Sequence, residues 1–306
     1  MAAAPTTSSK LVTLREAAAS VPDGATLALG GFVVARTSAA FARELIRQRR
    51  RGLTVTQAIV GFDTDILAAA GAIEKLIYGG GSLDAFGLVI AINRLIEQGR
   101  LAIEAYSTMT VSLRYLAAAM GIPYIPTKSL LGSDVLARLE ASAPDSVRVS
   151  TCPFTGERLL LLRALQPDVA VVQVQQADVE GNARIYGPTW DNDEALKAAK
   201  RVILLAEEIV STDYLRQQPE LTTVTGLRVD MVVHAPYGAH PTSCYRYYDY
   251  DADHLREYVA AAKDPPALER YLDRYVYSVE DHFAYLERVG GVARLSQLKA
   301  DPLLGY

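Results

Sequence analysis

Short apolar runs alternate with helix-like patterns along the first 120 residues. Four runs are bounded by glycine or polar turns and are rich in aliphatic residues, which is typical of buried strands. Between them, apolar residues recur every three or four positions, as on one face of a helix. The predicted strands are 25–32, 53–60, 74–81 and 101–107, and the predicted helices are 10–21, 37–50, 64–73, 84–99 and 110–121.

The second half of the chain resumes this alternation after an irregular stretch. Residues 135–158, with Pro144 and Pro153, show no clear period. Two β-like runs then flank the polar turn "DVEGN", residues 178–182, and predict a hairpin. From Asp251 onward the pattern is helical and rich in tyrosine. We predict a disordered arm over 1–9, a single domain over 10–290 and a C-terminal tail over 291–306.

Strands that alternate with helices predict βαβ units. The expected fold is an open, mostly parallel α/β sheet with helices on both faces and a helical C-terminal tail. In such sheets, ligands bind outside the carboxyl ends of the strands. Gly31, Gly80 and Glu104 each come at the end of a predicted strand. We therefore expect these three residues to lie along one edge of the sheet.

Composition and charge exclude several classes of function. Half of the 306 residues are hydrophobic, 22% are charged, and the net charge is -4. The densest basic patch, residues 47–52, fits a solvated helix end, so a nucleic-acid partner is not expected. No apolar run reaches the length of a membrane span, and no signal peptide is evident, so membrane association is not expected.

The positions of the cysteines and histidines argue against a disulfide framework, a metal site and a catalytic triad. Cys152 and Cys244 are far apart in sequence and form no C-x-x-C motif, which fits a reducing cytoplasm. The four histidines form no H-x-x-x-H pair, so no metal site is predicted. The histidine of the "GAHPT" loop, His240, is expected to be structural, because no Ser/His/Asp order supports a triad.

Two glycine-rich strand ends are candidate substrate-binding turns. Gly30, Gly31 and Phe32 end the first of these strands, and Gly80 and Gly81 end the third. Glycine lets backbone N–H groups face a phosphate or an oxyanion, although a tight turn without a ligand needs glycine equally. Neither a G-x-G-x-x-G motif nor a P-loop is present, so a nucleotide-binding fold of those kinds is not indicated.

Glu104 is the candidate catalytic residue. A carboxylate at a dry sheet edge can attack an activated acyl group or act as a base, and partial desolvation would raise its pKa. The alternative is a solvated loop glutamate or a helix cap. Ser107, three residues later, could orient a substrate with its hydroxyl or could cap the next helix.

Several longer motifs, in order, resemble one known family. They are "VPDGATLALGGF", "EAYS", "GIPYIPTKSLLGSD", "PFTGERL", "PDVAVVQVQQADVEGNARIYG" and "APYGAHPTSCYRYYDYD". Between about Val12 and Leu286 the chain is similar to the α (A) subunit of family I CoA-transferases of the glutaconate CoA-transferase type. The resemblance implies a β-subunit partner, an expected α2β2 assembly, an acyl-CoA and a carboxylic acid as substrates, and no cofactor beyond that CoA thioester. It also adds Gly132 and Ser133 as substrate-binding residues.

The resemblance leaves the role of Glu104 open. In most of the family the catalytic glutamate lies on the β subunit, whereas a related branch opens a ring in steroid-derived CoA thioesters with a glutamate matching Glu104. A third hypothesis is a non-catalytic scaffold subunit. Family members often carry glycine where this chain has Val33, and a Cβ there limits how closely the backbone approaches a ligand.

Overall fold

A twisted, largely parallel sheet runs through the centre of the protein. The computed structural model describes residues 9–301 and 303–305; the predicted arm over 1–9 lies outside them apart from Ser9. In the described residues, nine strands form this sheet in the order β1-β12-β11-β9-β2-β3-β4-β5, with β10 antiparallel to β9. The strands are β1 Leu11–Val12, β2 Thr26–Leu29, β3 Leu53–Gln57, β4 Ile73–Tyr78, β5 Ala102–Ala105, β9 Val169–Ala177, β10 Ala183–Arg184, β11 Arg201–Ile209 and β12 Met231–His234.

Helices cover both faces of this sheet. The first seven are α1 Leu14–Ala19, α2 Ala39–Arg47, α3 Phe62–Ala69, α4 Ile90–Glu97, α5 Thr108–Ala119, α6 Asp134–Ser142 and α7 Asn192–Ala198. The others are α8 Thr212–Arg216, α9 Ala252–Ala262, α10 Pro265–Leu272, α11 His282–Arg288 and α12 Gly291–Leu295. In the part of the chain that is described, none of the helices is long and apolar enough to cross a membrane.

Alternate residues of each central strand point into two separate cores. Val171 of β9 belongs to the core that also contains side chains of α1 to α4 and of the C-terminal helices, whereas its neighbour Val172 belongs to the core that contains those of α5, α6 and α7. This is the two-residue period of a strand that is covered on both faces. All nine residues of β9 are buried; six of them are apolar, and the other three are glutamines.

The predicted βαβ organisation and the hairpin are confirmed. The strand pairs β2–β3, β3–β4 and β4–β5 are parallel, and each is joined through a helix on one face. The "DVEGN" turn joins the antiparallel strands β9 and β10, and the Asp178 carboxylate accepts hydrogen bonds from the N–H groups of Glu180 and Asn182. These side-chain to backbone bonds are the reason why aspartate favours such turns.

Other expectations about the elements are wrong. The stretch 135–158 is ordered: α6 lies there, and β7 Val147–Thr151 joins β6 Tyr124–Thr127 and β8 Arg158–Arg163 in a small antiparallel sheet, ordered β6-β8-β7. In the segment predicted as a helix over 10–21, the helix begins only at Leu14; residues 11–12 before it form β1, which pairs with β12. A strand of two residues is too short to show a period of alternating positions. Its partner strand lies more than 200 residues away, so no local pattern indicates the pairing.

The C-terminal helices belong to the main core. Tyr258 of α9 and Tyr285 of α11 are fully buried against the helices of the first half of the chain. Residues 291–298 are also structured, and Arg294 of α12 forms an ion pair with Asp251 at 2.6 Å. The region after residue 251 therefore completes the fold on one face of the sheet.

Candidate active site

The carboxyl edge of the sheet collects the glycine turns and Glu104, as predicted. Strands β2, β3, β4 and β5 are mutually parallel, so their carboxyl ends lie along one edge. Gly31 follows β2, Gly80 follows β4, and Glu104 is the penultimate residue of β5. The loops that follow β9, β11 and β12 reach the same edge, because those strands are parallel to β2.

The first glycine turn is folded onto its own neighbours. The N–H of Gly30 donates to Val171 O at 2.8 Å, that of Gly31 to Asn192 Oδ1 at 3.2 Å, and that of Phe32 to Ala35 O at 2.8 Å. Gly31 has φ +95°, and a Cβ there would come within 2.5 Å of Arg36 O. This glycine is required by the turn itself, and all three N–H groups already have partners inside the chain.

Val33 adopts a backbone conformation that suits glycine. Its φ is +56°, in the left-handed region, and its side chain is buried. A β-branched residue is rare there, because the Cβ crowds the backbone. Its carbonyl lies 2.0 Å from where a Cβ on Gly61 would stand, so the turns after β2 and β3 are packed backbone to backbone. The chain thus keeps a glycine-like turn shape at Val33.

The second glycine turn combines close packing with one open position. A Cβ on Gly79 would lie 2.4 Å from Thr108 N, and one on Gly81 would lie 2.1 Å from a methyl of Val60. A Cβ on Gly80 would meet only Ile59 Cδ1, at an ordinary 3.5 Å. Packing therefore explains Gly79 and Gly81 but not Gly80.

Glu104 is buried and fully engaged by hydrogen-bond donors. Its side chain is 5% exposed, and one oxygen pairs with Lys75 Nζ at 2.6 Å. The other accepts from Tyr106 OH at 2.8 Å and from Arg114 Nη1 at 3.2 Å. The two cations come from the neighbouring strand β4 and from α5, the helix that follows β5. Three donors on two oxygens explain how a carboxylate is tolerated at a buried position.

The expected rise in the pKa of Glu104 is wrong. Burial acts to raise it, but the hydrogen bonds from Lys75 and Tyr106 and the charge of Arg114 outweigh burial and leave the pKa below its usual value. Glu104 is therefore an ionised carboxylate at neutral pH. Its cationic partners lie on two other elements, β4 and α5, and only the packing of these elements shows that they reach Glu104.

Ser107 and Ser133 both cap helices. The Ser107 hydroxyl accepts from Thr110 N at the start of α5, and the Thr110 side chain returns a bond to the Ser107 N–H, which completes a capping box. The Ser133 hydroxyl caps α6 by accepting a hydrogen bond from the N–H of Leu136 at 3.3 Å. Gly132 is an exposed turn glycine with φ +76°. Gly132 and Ser133 lie between β6 and α6, outside the main sheet.

An aromatic and charged cluster beside the first glycine turn was missed. The rings of Phe32 and Trp190 stack at 5.0 Å with an angle of 10°, and the Arg36 guanidinium lies 5.3 Å from the Trp190 ring centre. Arg36 donates to the carbonyls of Gln173 and Pro188, and burial lowers its pKa to about 10. The signal was available, because Trp190 is the only tryptophan in the chain and directly precedes the acidic run "DNDE", residues 191–194.

A second buried carboxylate, Glu207, was also missed. It lies near the end of β11 and accepts from Gln173 Nε2 at 2.7 Å, from Tyr248 OH at 2.5 Å and from the N–H of Tyr237. Burial raises its pKa to about 7, against the effect of these hydrogen bonds. The reasoning that selected Glu104, a carboxylate at the end of an apolar strand, applies equally to the "AEEI" of β11.

His240 has the structural environment that was expected. It is fully buried, with Nδ1 2.7 Å from Tyr285 OH and Nε2 3.3 Å from Asp251. Burial lowers its pKa, although the bond to Asp251 opposes the shift. Across residues 9–301 and 303–305, no group of three or more His, Cys, Asp or Glu side chains is arranged to hold a metal ion.

The family model described as Coenzyme A transferase matches residues 11–235. The chain belongs to the coenzyme A transferase family. This match covers the whole central sheet and every predicted site residue. The C-terminal helices lie beyond it, although they share the core of this coenzyme A transferase chain.

Curated relatives place the chain with one of the two subunit types of such enzymes. It is 34% identical over 97% of its length, and over 97% of the relative, to the A subunit of glutaconate CoA-transferase of Acidaminococcus fermentans. An uncharacterised protein of Archaeoglobus fulgidus is 37% identical over 91% of the chain, which spans only 62% of that relative's length. The "Cholesterol ring-cleaving hydrolase IpdA subunit" of Rhodococcus jostii is 30% identical over 90% of the chain and 94% of the relative.

The backbone agrees with these assignments. The crystal structure of glutaconate coenzyme A-transferase from Acidaminococcus fermentans superposes with a TM-score of 0.92, at 33% identity, over 97% of this chain and 98% of that one. The α-subunit type and the open α/β fold expected from the sequence are thus confirmed. Because such relatives are named as one subunit of a heteromeric enzyme, they imply a partner subunit for this chain.

Proposed function

We propose that this chain, with a β subunit, forms an enzyme that transfers coenzyme A from an acyl-CoA to a carboxylic acid. The observation that carries the proposal is the match over nearly the full length of both chains to the A subunit of glutaconate CoA-transferase, in sequence and in backbone. We further propose an α2β2 assembly, with the CoA thioester as a substrate and no other cofactor.

The proposed chemistry divides between the two subunits. A carboxylate on the β subunit first attacks the thioester carbonyl, releases the CoA thiolate and forms an acyl anhydride; the thiolate then attacks the enzyme's own carbonyl in that anhydride, which frees the acid and leaves an enzyme–CoA thioester. The same steps in reverse load the second acid. This chain contributes the wall of the cleft, and Glu104 helps to hold that wall, because both of its oxygens are committed to Lys75, Tyr106 and Arg114.

A hydrolase is the second candidate function, and the position and charge of Glu104 favour it. The relatives named as ring-cleaving hydrolase subunits cover most of this chain. Glu104 lies at the ligand edge and is ionised, as a general base must be before it removes a proton from water or substrate. For this role one of its three donors would have to move away when substrate binds.

Reconstitution of both subunits separates these candidates and the non-catalytic scaffold. Both chains are co-purified and supplied with a panel of acyl-CoA thioesters, with and without acceptor acids. Transfer to the acid supports the proposal, and CoA release that ignores the acceptor supports the hydrolase. A β subunit that is fully active by itself would make this chain a scaffold and contradict both.

Glu104→Gln tests which of the two chains carries the working carboxylate. If Glu104 is catalytic, turnover falls by at least about 100-fold, the low end for a positioned acid or base. We expect a smaller loss, because the proposal places the nucleophile on the β subunit. Glu97→Gln, an exposed glutamate on α4, is the matched control and leaves turnover unchanged. Co-purification with the β subunit verifies that each variant is folded.

A further inference from the structure

A small cavity opens between α5 and α7 at the ligand edge of the sheet. Its volume is about 230 Å³, and we call it the α5–α7 pocket; it is lined by Met109, Ser112, Leu113, Leu116, Trp190 and Asp191, with Glu194. Helix α5 is separated from the end of β5 by two residues, and Asp191 is the N-cap of α7, whose first residue bonds to the glycine turn after β2, so both helices start at the carboxyl edge. The pocket therefore extends from that edge between two packed helices.

The pocket adjoins the first glycine turn. Trp190, on its wall, stacks on Phe32, and the N–H of Gly31 donates to the side chain of Asn192, the first residue of α7. A substrate that reaches the Gly30–Phe32 turn therefore has the mouth of this pocket beside it. The volume is below the roughly 300–1,000 Å³ of sites that enclose a whole ligand. It is enough for the end of an acyl chain and too small for the CoA nucleotide.

The walls of the pocket are apolar except for the Ser112 hydroxyl and two carboxylates. Met109, Leu113, Leu116 and Trp190 provide the apolar surface, and none of the seven lining residues in the described structure is cationic. Burial raises the pKa of Asp191 to about 6, and the nearby charge of Glu194 acts in the same direction. A further negative group placed here would meet two like charges, one of them on the largely buried Asp191.

We propose that the α5–α7 pocket takes the distal end of the acyl group and that Asp191 and Glu194 exclude acids that carry a second carboxylate there. This inference rests on the proposed function, because it assumes that an acyl group reaches the site. Glutaconate, in the name of one relative, is a dicarboxylate. The inferred substrates of this enzyme instead have an uncharged distal end that suits the apolar wall. Discrimination by like-charge repulsion is a common way in which proteins reject a partner.

The test compares two acids of equal length as CoA acceptors in the reconstituted complex. Pentanoate ends in a methyl group and glutarate ends in a second carboxylate. We expect kcat/KM to favour pentanoate by about tenfold or more, since contact between like charges at a binding surface is costly. The double variant Asp191→Asn with Glu194→Gln should shrink this preference about tenfold. Asparagine keeps an acceptor for the Ala58 N–H that bonds to Asp191. Asp193→Asn, on the same helix but outside the pocket, is the matched control and should leave the preference unchanged.

Trp190 fluorescence provides a readout that does not need turnover. It is the only tryptophan of this chain, and subtraction of a Trp190→Phe complex removes any signal from the β subunit. Pentanoate should change the Trp190 signal at lower concentration than glutarate. If transfer occurs but Trp190 fluorescence does not change, the pocket assignment is overturned and the proposed function stands. The same holds if the double variant keeps the preference for pentanoate over glutarate. If nothing is transferred or hydrolysed yet Trp190 still selects pentanoate, the proposed function fails and the selectivity of the pocket stands. A wild-type preference for glutarate overturns the inference directly.

Discussion

At the scale of single residues, the side chains at the ligand edge divide into those explained by packing and those that are not. The N–H groups of the first glycine turn and the hydroxyls of Ser107 and Ser133 already have partners within the chain. Glu104 has three donors, all supplied by other side chains. Gly80 has no packing requirement, so it remains the clearest substrate-binding prediction in the second turn.

Replacing Glu104 should destabilise the fold as well as test the chemistry. Glu104→Gln removes the counter-charge of the buried Arg114, and breaking a buried ion pair costs about 3 kcal/mol or more of unfolding free energy. Because the folded pKa of Glu104 lies below the unfolded value of 4.5, its contribution is present above that pH and is lost as pH falls through the folded pKa. Urea unfolding of wild type and Glu104→Gln at several pH values measures the difference in their unfolding free energies as a function of pH. A difference that stays constant down to pH 3 would contradict the ion-pair account.

Gly80→Ala and Gly81→Ala separate ligand approach from packing. A methyl at Gly80 makes only an ordinary contact, so the unfolding free energy should change by no more than about 0.5 kcal/mol. If a substrate passes this backbone, kcat/KM of the Gly80→Ala complex should nevertheless fall by about tenfold or more, because small misplacements are costly in catalysis. Gly81→Ala should instead lose about 1–3 kcal/mol, since its methyl overlaps Val60. Full activity of Gly80→Ala would remove Gly80 from the site.

At the scale of elements, helix starts recur at the ligand edge because β1 to β5 and β11 are each followed by a helix there. Helix α5 follows β5 after two residues, so its cap and Glu104 occupy the same short segment. The capping box of Ser107 and Thr110 satisfies N–H groups that a helix start otherwise leaves unpaired. This local bond fixes where α5 begins and thereby positions Arg114 against Glu104.

The capping role of Ser107 can be measured directly. Ser107→Ala should cost about 1 kcal/mol of unfolding free energy, while Ser107→Asp should keep most of the stability, because aspartate caps equally well. Ser112→Ala, on the same helix, removes a hydroxyl that only returns a bond to Thr108 O and should be close to neutral. If Ser107→Asp keeps stability but loses turnover, the hydroxyl also touches substrate. Equal stability of Ser107→Ala and wild type would refute the cap.

At the scale of the whole molecule, the C-terminal helices hold one face of the sheet through buried polar contacts. His282 of α11 lies 2.7 Å, Nε2 to carbonyl oxygen, from Pro236, just beyond β12. Arg43 of α2 donates to His240 O and lies over the Tyr285 ring, with its guanidinium carbon 3.6 Å from the centroid. Burial lowers the pKa of Arg43, whose guanidinium stacks on an aromatic ring and bonds to a carbonyl. Neutral histidines suit this environment, because an added positive charge would face Arg43.

This arrangement predicts acid sensitivity that depends on His282. Burial lowers its pKa from 6.5 to about 3, and the charge of Arg43 acts in the same direction. The unfolded chain therefore binds the proton more tightly, and the stability from neutral His282 is lost as pH falls from about 6.5 towards 3. His282→Gln keeps a donor for Pro236 O, so its unfolding free energy should fall less steeply than that of wild type over this range. His234→Gln, at an exposed histidine, is the matched control. Identical slopes for wild type and His282→Gln would contradict a buried neutral histidine.

The sequence by itself determined the sheet, its direction and its ligand edge. The spacing of apolar residues and the glycines that end the strands are local features of the sequence. They were therefore sufficient to predict the βαβ order and the placement of Gly31, Gly80 and Glu104 along one edge. The motif order further indicated the family. Tertiary structure alone decided the small sheet in residues 124–163, the pairing of β1 with β12, and the chemistry of each carboxylate. Glu104 has a lowered pKa and Glu207 a raised one, although both end apolar strands. The difference comes from two cations, Lys75 of β4 and Arg114 of α5, which the fold brings to Glu104, whereas the donors to Glu207 are uncharged.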